Sequence, residues 1–254
     1  MRQINNKYFF IIRMVVSFIL VFVLFRFVPY KELAQIFIDS QKLYILLGFL
    51  AVFCGILMAI VRWRLLLSAL GVIISFKEAF LAYLSGFFFN LFFPSFVAGN
   101  IFRGVSVSYR HGHPGKIAST VLMDRFAGFT ALVVFASFSF FLGLRTILSF
   151  QFIYFLILII LIFISVFLLI FSKTVFLFLV RILKEGSYLS QRLISFHDRL
   201  RFFKKNPQLF LKVLLFSLSL KLLTVFVYFL NSKAFGIELP FTYFLIIVPV
   251  VMVV

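Results

Sequence analysis

Apolar residues fall along this chain in blocks of about twenty, divided by shorter stretches rich in Lys and Arg, which is the pattern of helices that cross a bilayer. The blocks cover residues 9–28, 43–61, 117–144, 150–171 and 209–230, and another opens at Phe241 and reaches the last residue, Val254. One run is different: Ala79 to Phe93 is only 15 residues. As a helix it measures about 22 Å, short of the roughly 30 Å of hydrocarbon in a bilayer. Ser85, Asn90 and Pro94 break its apolar character. Between 173 and 207, Leu189, Leu193, Phe196, Leu200 and Phe203 alternate at spacings of four and three, which puts them on one face of a basic amphipathic helix.

Composition agrees with this reading: 64% of the 254 residues are hydrophobic, 42 are Phe, and the mean hydropathy is +1.20. A soluble domain is about 45–50% apolar. Recurrence of the blocks argues against a single cleaved signal peptide. The sequence therefore predicts an all-α, polytopic integral membrane helix bundle.

The net charge of +18 could mean nucleic acid, but beside membrane spans it reads as a topology signal and as contacts for anionic lipid headgroups. With a cytoplasmic N-terminus and a run 79–93 that enters and leaves on one side, the inside segments hold Arg2, Lys7, Arg13, Arg62, Arg64, Lys77, Arg103, Arg110 and Lys116. They also hold eight Lys or Arg between Lys173 and Lys205. The outside keeps Arg26, Lys31, Lys42, Arg145 and Lys233. A crossing at 79–93 would put the eight-charge segment outside, against the positive-inside rule. The run is therefore read as a re-entrant segment, with a flat interfacial helix as the alternative. The segment 173–207 becomes a cytoplasmic amphipathic helix, read first as an anchor on anionic lipid and second as an attractor of an anionic headgroup.

Polar residues that could carry chemistry concentrate after the short run: Asn90, Pro94, Ser95, Gly99, Asn100 and Arg103, followed by Asp124 and Arg125. Pro94 lacks a backbone donor and Gly99 admits unusual dihedrals, so a tight turn is expected there. Asn90 can cap a broken helix or bind a substrate. Arg103 and Arg125 present planar forks suited to phosphate, and Asp124 supplies a countercharge, either as part of a site or as a structural clamp on one of them. With the helix starting near Ile117, Asp124 and Arg125 are expected around headgroup depth. Ser217, Lys221, Thr224, Tyr228 and Asn231 form one polar stripe on an otherwise apolar helix. That stripe is expected to face the bundle interior, either lining the same cavity as Asn90 and Arg103 or joining two helices.

Other chemistry is discounted. No Walker-type phosphate loop, paired-carboxylate pattern or cysteine-based metal site is present, and no cofactor is expected. Cys54, the single cysteine, reads as a packing residue, His111 and His113 as solvated loop residues without acidic neighbours, and His197 as lying near the headgroups.

The ordered set Gly86-Phe-Phe-Phe-Asn90-Leu-Phe-Phe-Pro94, Gly99-Asn100, Arg103 and Val121-Leu-Met-Asp124-Arg125 resembles the transmembrane region of lysylphosphatidylglycerol synthases. The resemblance implies a flippase-like domain of the bacterial inner membrane. In the two-part synthases that domain is associated with moving aminoacylated phosphatidylglycerol to the outer leaflet after a soluble domain has made it. No aminoacyl-transferase domain accompanies these residues, and the family continues through further helices, so the sequence looks like a fragment. Three functions are open at this stage. The first is translocation or scrambling of a polar lipid, without enzymatic activity. The others are a membrane-bound enzyme using Asp124 as acid or base, and a non-catalytic partner of a lipid-modifying synthase.

Overall fold

The computed structural model describes residues 29–92, 98–143 and 205–252, with isolated positions between 18 and 26, 154 and 172, and 197 and 203. Its elements are helices: α1 (Tyr30–Asp39), α2 (Lys42–Ala69), α3 (Phe76–Phe92), α4 (Ala98–His111), α5 (Pro114–Gly143), α6 (Pro207–Ala234) and α7 (Phe241–Val251). The described chain holds no strand, and α2, α5 and α6 are long and apolar enough to cross a membrane. The expected spans 9–28 and 150–171, most of 173–207, and Pro94 lie outside the described residues.

Local signals set the helix ends. Gly71, at φ +73°, stops α2: the Val72 amide donates to Leu67 O and the Gly71 amide to Ser68 O, a Schellman closure. Gly236, also at φ +73°, closes α6 in the same way onto Ser232 and Lys233. At the start of α3, the Ser75 amide donates to Glu78 Oε2 at 2.9 Å and the Glu78 amide to Ser75 Oγ at 3.2 Å, a capping box. α7 contains Pro249, which leaves the Leu245 carbonyl without its helical donor; the Ser139 hydroxyl of α5 lies 2.6 Å from that oxygen.

The long helices α2 and α6 pack antiparallel. The Gln41 amide donates to Ala234 O at one end, and Ser68 and Ala69 meet Asn206 to Gln208 at the other. Gly48 and Gly55 of α2 face Asn231 and Leu223 of α6, the small-residue contact that lets membrane helices approach. Their outer faces stay apolar and open, as at Leu43, Phe49, Phe53 and Leu215, which lipid rather than water explains. Cys54 is on this exposed face and not in the packed interior expected for it.

The short apolar run is half of a hairpin. α3 goes in and α4 comes back against it, so that His111 Nε2 at the end of α4 lies 3.3 Å from Glu78 Oε1 at the start of α3. His111 thus has an acidic partner, contrary to the sequence expectation, because chain reversal joins residues 33 apart. The limbs touch at two glycines: a Cβ on Gly86 would stand 2.8 Å from Gly99 O, and one on Gly99 would collide with Gly86 O. Gly99 is helical, so its value is close approach rather than the unusual dihedral expected of it. Phe89 and Phe102 stack across the same seam.

Two core clusters flank the hairpin. Ile60, Trp63, Leu67, Ala79 and Ile117 form one, and Leu66, Met123, Phe126, Leu200, Phe203 and Val213 the other. Leu200 and Phe203 come from the face assigned to lipid anchoring, yet they are buried in protein. His197 is likewise buried in protein. The short exposed helix α1 had no counterpart in the sequence reading.

Candidate functional site

Asp124 organises the interior. α5 begins at Pro114, earlier than expected, so Asp124 is ten residues into it, about 15 Å from its start. Arg62, Arg103 and Ser217 lie seven, eight and ten residues from the ends of α2, α4 and α6 on the same side of the bundle, about 10–15 Å deep. Four helices therefore carry their polar groups to one level.

The geometry there is a clamp with two arms. Arg62 Nε donates to Asp124 Oδ1 at 2.8 Å while its Nη1 donates to Ser217 Oγ at 2.7 Å. Arg103 Nη2 donates to Asp124 Oδ2 at 3.1 Å. Asp124 and Arg103 are each 3% exposed and Arg62 8%. The Arg103 guanidinium also lies in the corner between two edge-on aromatic rings, 4.2 Å from the Trp63 ring and 4.4 Å from the Tyr83 ring. Such a contact contributes about 2 kcal/mol when desolvated. The aromatic faces are fixed in turn: Trp63 Nε1 donates to Thr120 Oγ1 at 3.2 Å and the Tyr83 hydroxyl to Ala59 O at 3.0 Å. Arg103 Nε has no hydrogen-bond acceptor among the described residues.

Beside the clamp is a cavity of about 650 Å³. Arg62, Arg103, Asp124, Arg125, Asn90, Gly99, Asn100, Ser217, Lys221 and Thr224 line it, together with apolar residues such as Phe87, Phe126, Phe129 and Leu132. The cluster after the short run and the first half of the α6 stripe thus meet in one space. Tyr228 does not reach it; it lines a separate cavity of about 120 Å³ with Tyr243 and Phe244, and Asn231 faces Gly48 of α2. Asn90 spends its side-chain oxygen on the hairpin, accepting the Gly99 amide at 2.8 Å, which is the capping alternative. Arg125 is exposed at the cavity and is not one of the arginines that Asp124 clamps.

Sequence reasoning placed Arg62 among the cytoplasmic loop charges and gave Tyr83 and Trp63 no part. Arg62 could have been found: Leu65 to Leu67 continue the apolar pattern beyond Arg64, so α2 extends past Val61 and encloses it. No group of three or more His, Cys, Asp or Glu that could hold a metal occurs among the described residues.

Comparison with known proteins now adds the decisive observation. The family model for the lysylphosphatidylglycerol synthase TM region matches residues 10–254. The chain belongs to that family. A UPF0104 membrane protein of Methanocaldococcus jannaschii is 27% identical over 149 residues, 58% of this chain and 44% of that relative. The match thus spans less than half of the relative's length. No solved structure matches the chain. For this member of the family, Asn90, Gly99, Arg103, Asp124 and Arg125 all belong to the wall of one cavity between the helices.

Proposed function

We propose that this protein moves a polar lipid, a phospholipid or an aminoacylated phospholipid, between the leaflets of a bacterial inner membrane, with its N-terminus in the cytoplasm. The observation that carries the proposal is the 650 Å³ cavity among helices long and apolar enough to span a membrane, whose wall combines charged residues with aromatic ones. A headgroup needs the first and acyl chains tolerate the second. The α3–α4 hairpin is the re-entrant element of this reading: it inserts Arg103 among the spans and returns to the side it came from. Asp124 positions Arg62 and Arg103, and Arg125, Lys221 and Asn100 meet the passing headgroup.

An enzyme that uses Asp124 for proton transfer fits less well, since both of its oxygens already accept from arginines. The test is reconstitution of the full-length protein in liposomes carrying lipid labelled in one leaflet. Intact label should appear in the other leaflet faster than in protein-free liposomes. Chemically altered lipid would replace transport by enzymatic action, and unmoved, unaltered lipid would leave a non-catalytic partner of a lipid-modifying synthase.

A further inference from the structure

The charges around the cavity do not balance. Arg62, Arg103, Arg125 and Lys221 line it against a single carboxylate, Asp124, which Arg62 and Arg103 share, so the wall carries a formal surplus of three positive charges and Arg125 and Lys221 have no anionic partner in it. No other carboxylate among the described residues lines it. Of its seven acidic residues, Glu32 and Asp39 are on α1 and Glu238 precedes α7, all at the opposite end of the bundle. Glu78 is engaged by Ser75 and His111 at the hairpin's open end. Glu185 and Asp198 belong to the segment that carries eight Lys and Arg of its own.

Isolated cations at membrane depth are costly unless something neutralises them. A fold that needed only a structural clamp could stop at Asp124 and Arg62. Here Arg103 is 97% buried, lines the cavity, and keeps Nε without an acceptor among the described residues. Asn100 and Thr224 add polar side chains to the same wall.

Resting on the transport reading above, we infer that the cavity is built for a phosphate group bearing more than one negative charge, a phosphomonoester or diphosphate headgroup. A zwitterionic headgroup, or one made cationic by aminoacylation, is disfavoured. A phosphodiester brings one negative charge, whereas a phosphomonoester brings about 1.5 to 2 near neutral pH. An aminoacyl group brings an ammonium into a wall that already has three cations in excess, and like charges at that distance repel.

The experiment is binding by the purified full-length protein in detergent, with four dioctanoyl lipids: phosphatidic acid, phosphatidylglycerol, phosphatidylcholine and lysylphosphatidylglycerol. Phosphatidic acid should bind at least about tenfold tighter than phosphatidylglycerol, and tighter still than the other two, with the margin narrowing as salt rises. Arg125→Gln and Lys221→Met, which leave the clamp intact, should each reduce that preference several-fold. Because the lipid series is run on the unmodified protein, the inference does not depend on either variant folding. Equal or tighter binding of phosphatidylcholine or lysylphosphatidylglycerol overturns it.

Glycerol 3-phosphate and inorganic pyrophosphate separate the two sources of this chemistry. Displacement of phosphatidic acid by either supports a site that also takes free anions, and failure to displace supports one that requires the lipid. Selective binding without movement between leaflets would sink the transport reading and leave this inference standing. Equal movement of all four lipids would do the reverse.

Discussion

Replacing Asp124 by Asn keeps the shape of the side chain and removes the one charge that two buried arginines share. Each ion pair, at 2.8 and 3.1 Å, would be worth about 5–6 kcal/mol at an effective dielectric of 20, before desolvation is subtracted. Breaking a buried pair by removing one partner costs about 3–5 kcal/mol, because the other charge stays buried and uncompensated. Asn retains one acceptor but turns an amide donor toward a guanidinium and leaves two buried cations without a carboxylate, so the loss should fall toward the upper end of that range. The measurement is a pair of double-mutant cycles, Asp124→Asn with Arg62→Gln and with Arg103→Gln, read by reversible unfolding in mixed micelles. Trp63 is the sole tryptophan and stacks on Arg103, so its fluorescence reports the clamp directly. Each cycle should return a coupling of about 1–3 kcal/mol. Additivity within about 0.5 kcal/mol in both cycles would refute the shared-carboxylate argument.

Three further outcomes follow from the same geometry. Gly86→Ala or Gly99→Ala should part the hairpin limbs and destabilise the protein by roughly 1–3 kcal/mol, the usual range for overpacking; wild-type thermal stability of both variants would contradict the close approach. In a Cys54→Ser background, Thr224→Cys should react with a small charged thiol reagent that enters the cavity, whereas native Cys54 should not, because it faces lipid about 18 Å from the start of α2; comparable labelling at both positions would show that the cavity is not the wetter site. Glu78 has its pKa lowered chiefly by accepting from the Ser75 amide and hydroxyl, so its contribution is present above the ordinary glutamate value near about 4.3 and is lost as pH falls through the lowered one. Amide exchange at the start of α3 should therefore be flat from pH 7 to 5 and quicken only in more acidic buffer relative to its intrinsic rate, and an increase beginning near pH 6 would implicate a different group.

The spans were legible because a bilayer imposes both length and composition, and α2, α5 and α6 satisfy both without reference to their neighbours. The polar cluster was legible for the converse reason: Asn90, Arg103, Asp124 and Lys221 are costly where they stand, so their presence in apolar surroundings already asks for a site. Arg62 was missed because an arginine near the end of an apolar block has two explanations, snorkelling and burial, and only the packing of α5 and α6 decides between them. The part played by Trp63 and Tyr83 had no local signal, since aromatic residues abound in this chain. The α6 stripe failed halfway for a geometric reason. Tyr228 and Asn231 keep nearly the same bearing on the helix as Ser217, Lys221 and Thr224, but they are 11 and 14 residues beyond Ser217, about 16 and 21 Å along the axis, and so pass the end of the cavity.

What the clamp contributes to folding does not account for its composition. A buried charge cluster is seldom more stable than apolar residues of the same volume, and in hydrocarbon the penalty for surplus charge grows. The hairpin moreover carries Arg103 inward at the cost of two glycines, two aromatic rings and a carboxylate to hold it. Packing alone would be served as well by a leucine at Arg103 with Asp124 and Arg62 also replaced. Retaining three cations beyond what Asp124 can match makes physical sense if the missing countercharge arrives from outside the chain. A lipid phosphate entering the cavity supplies it, and in doing so stabilises the bundle that receives it.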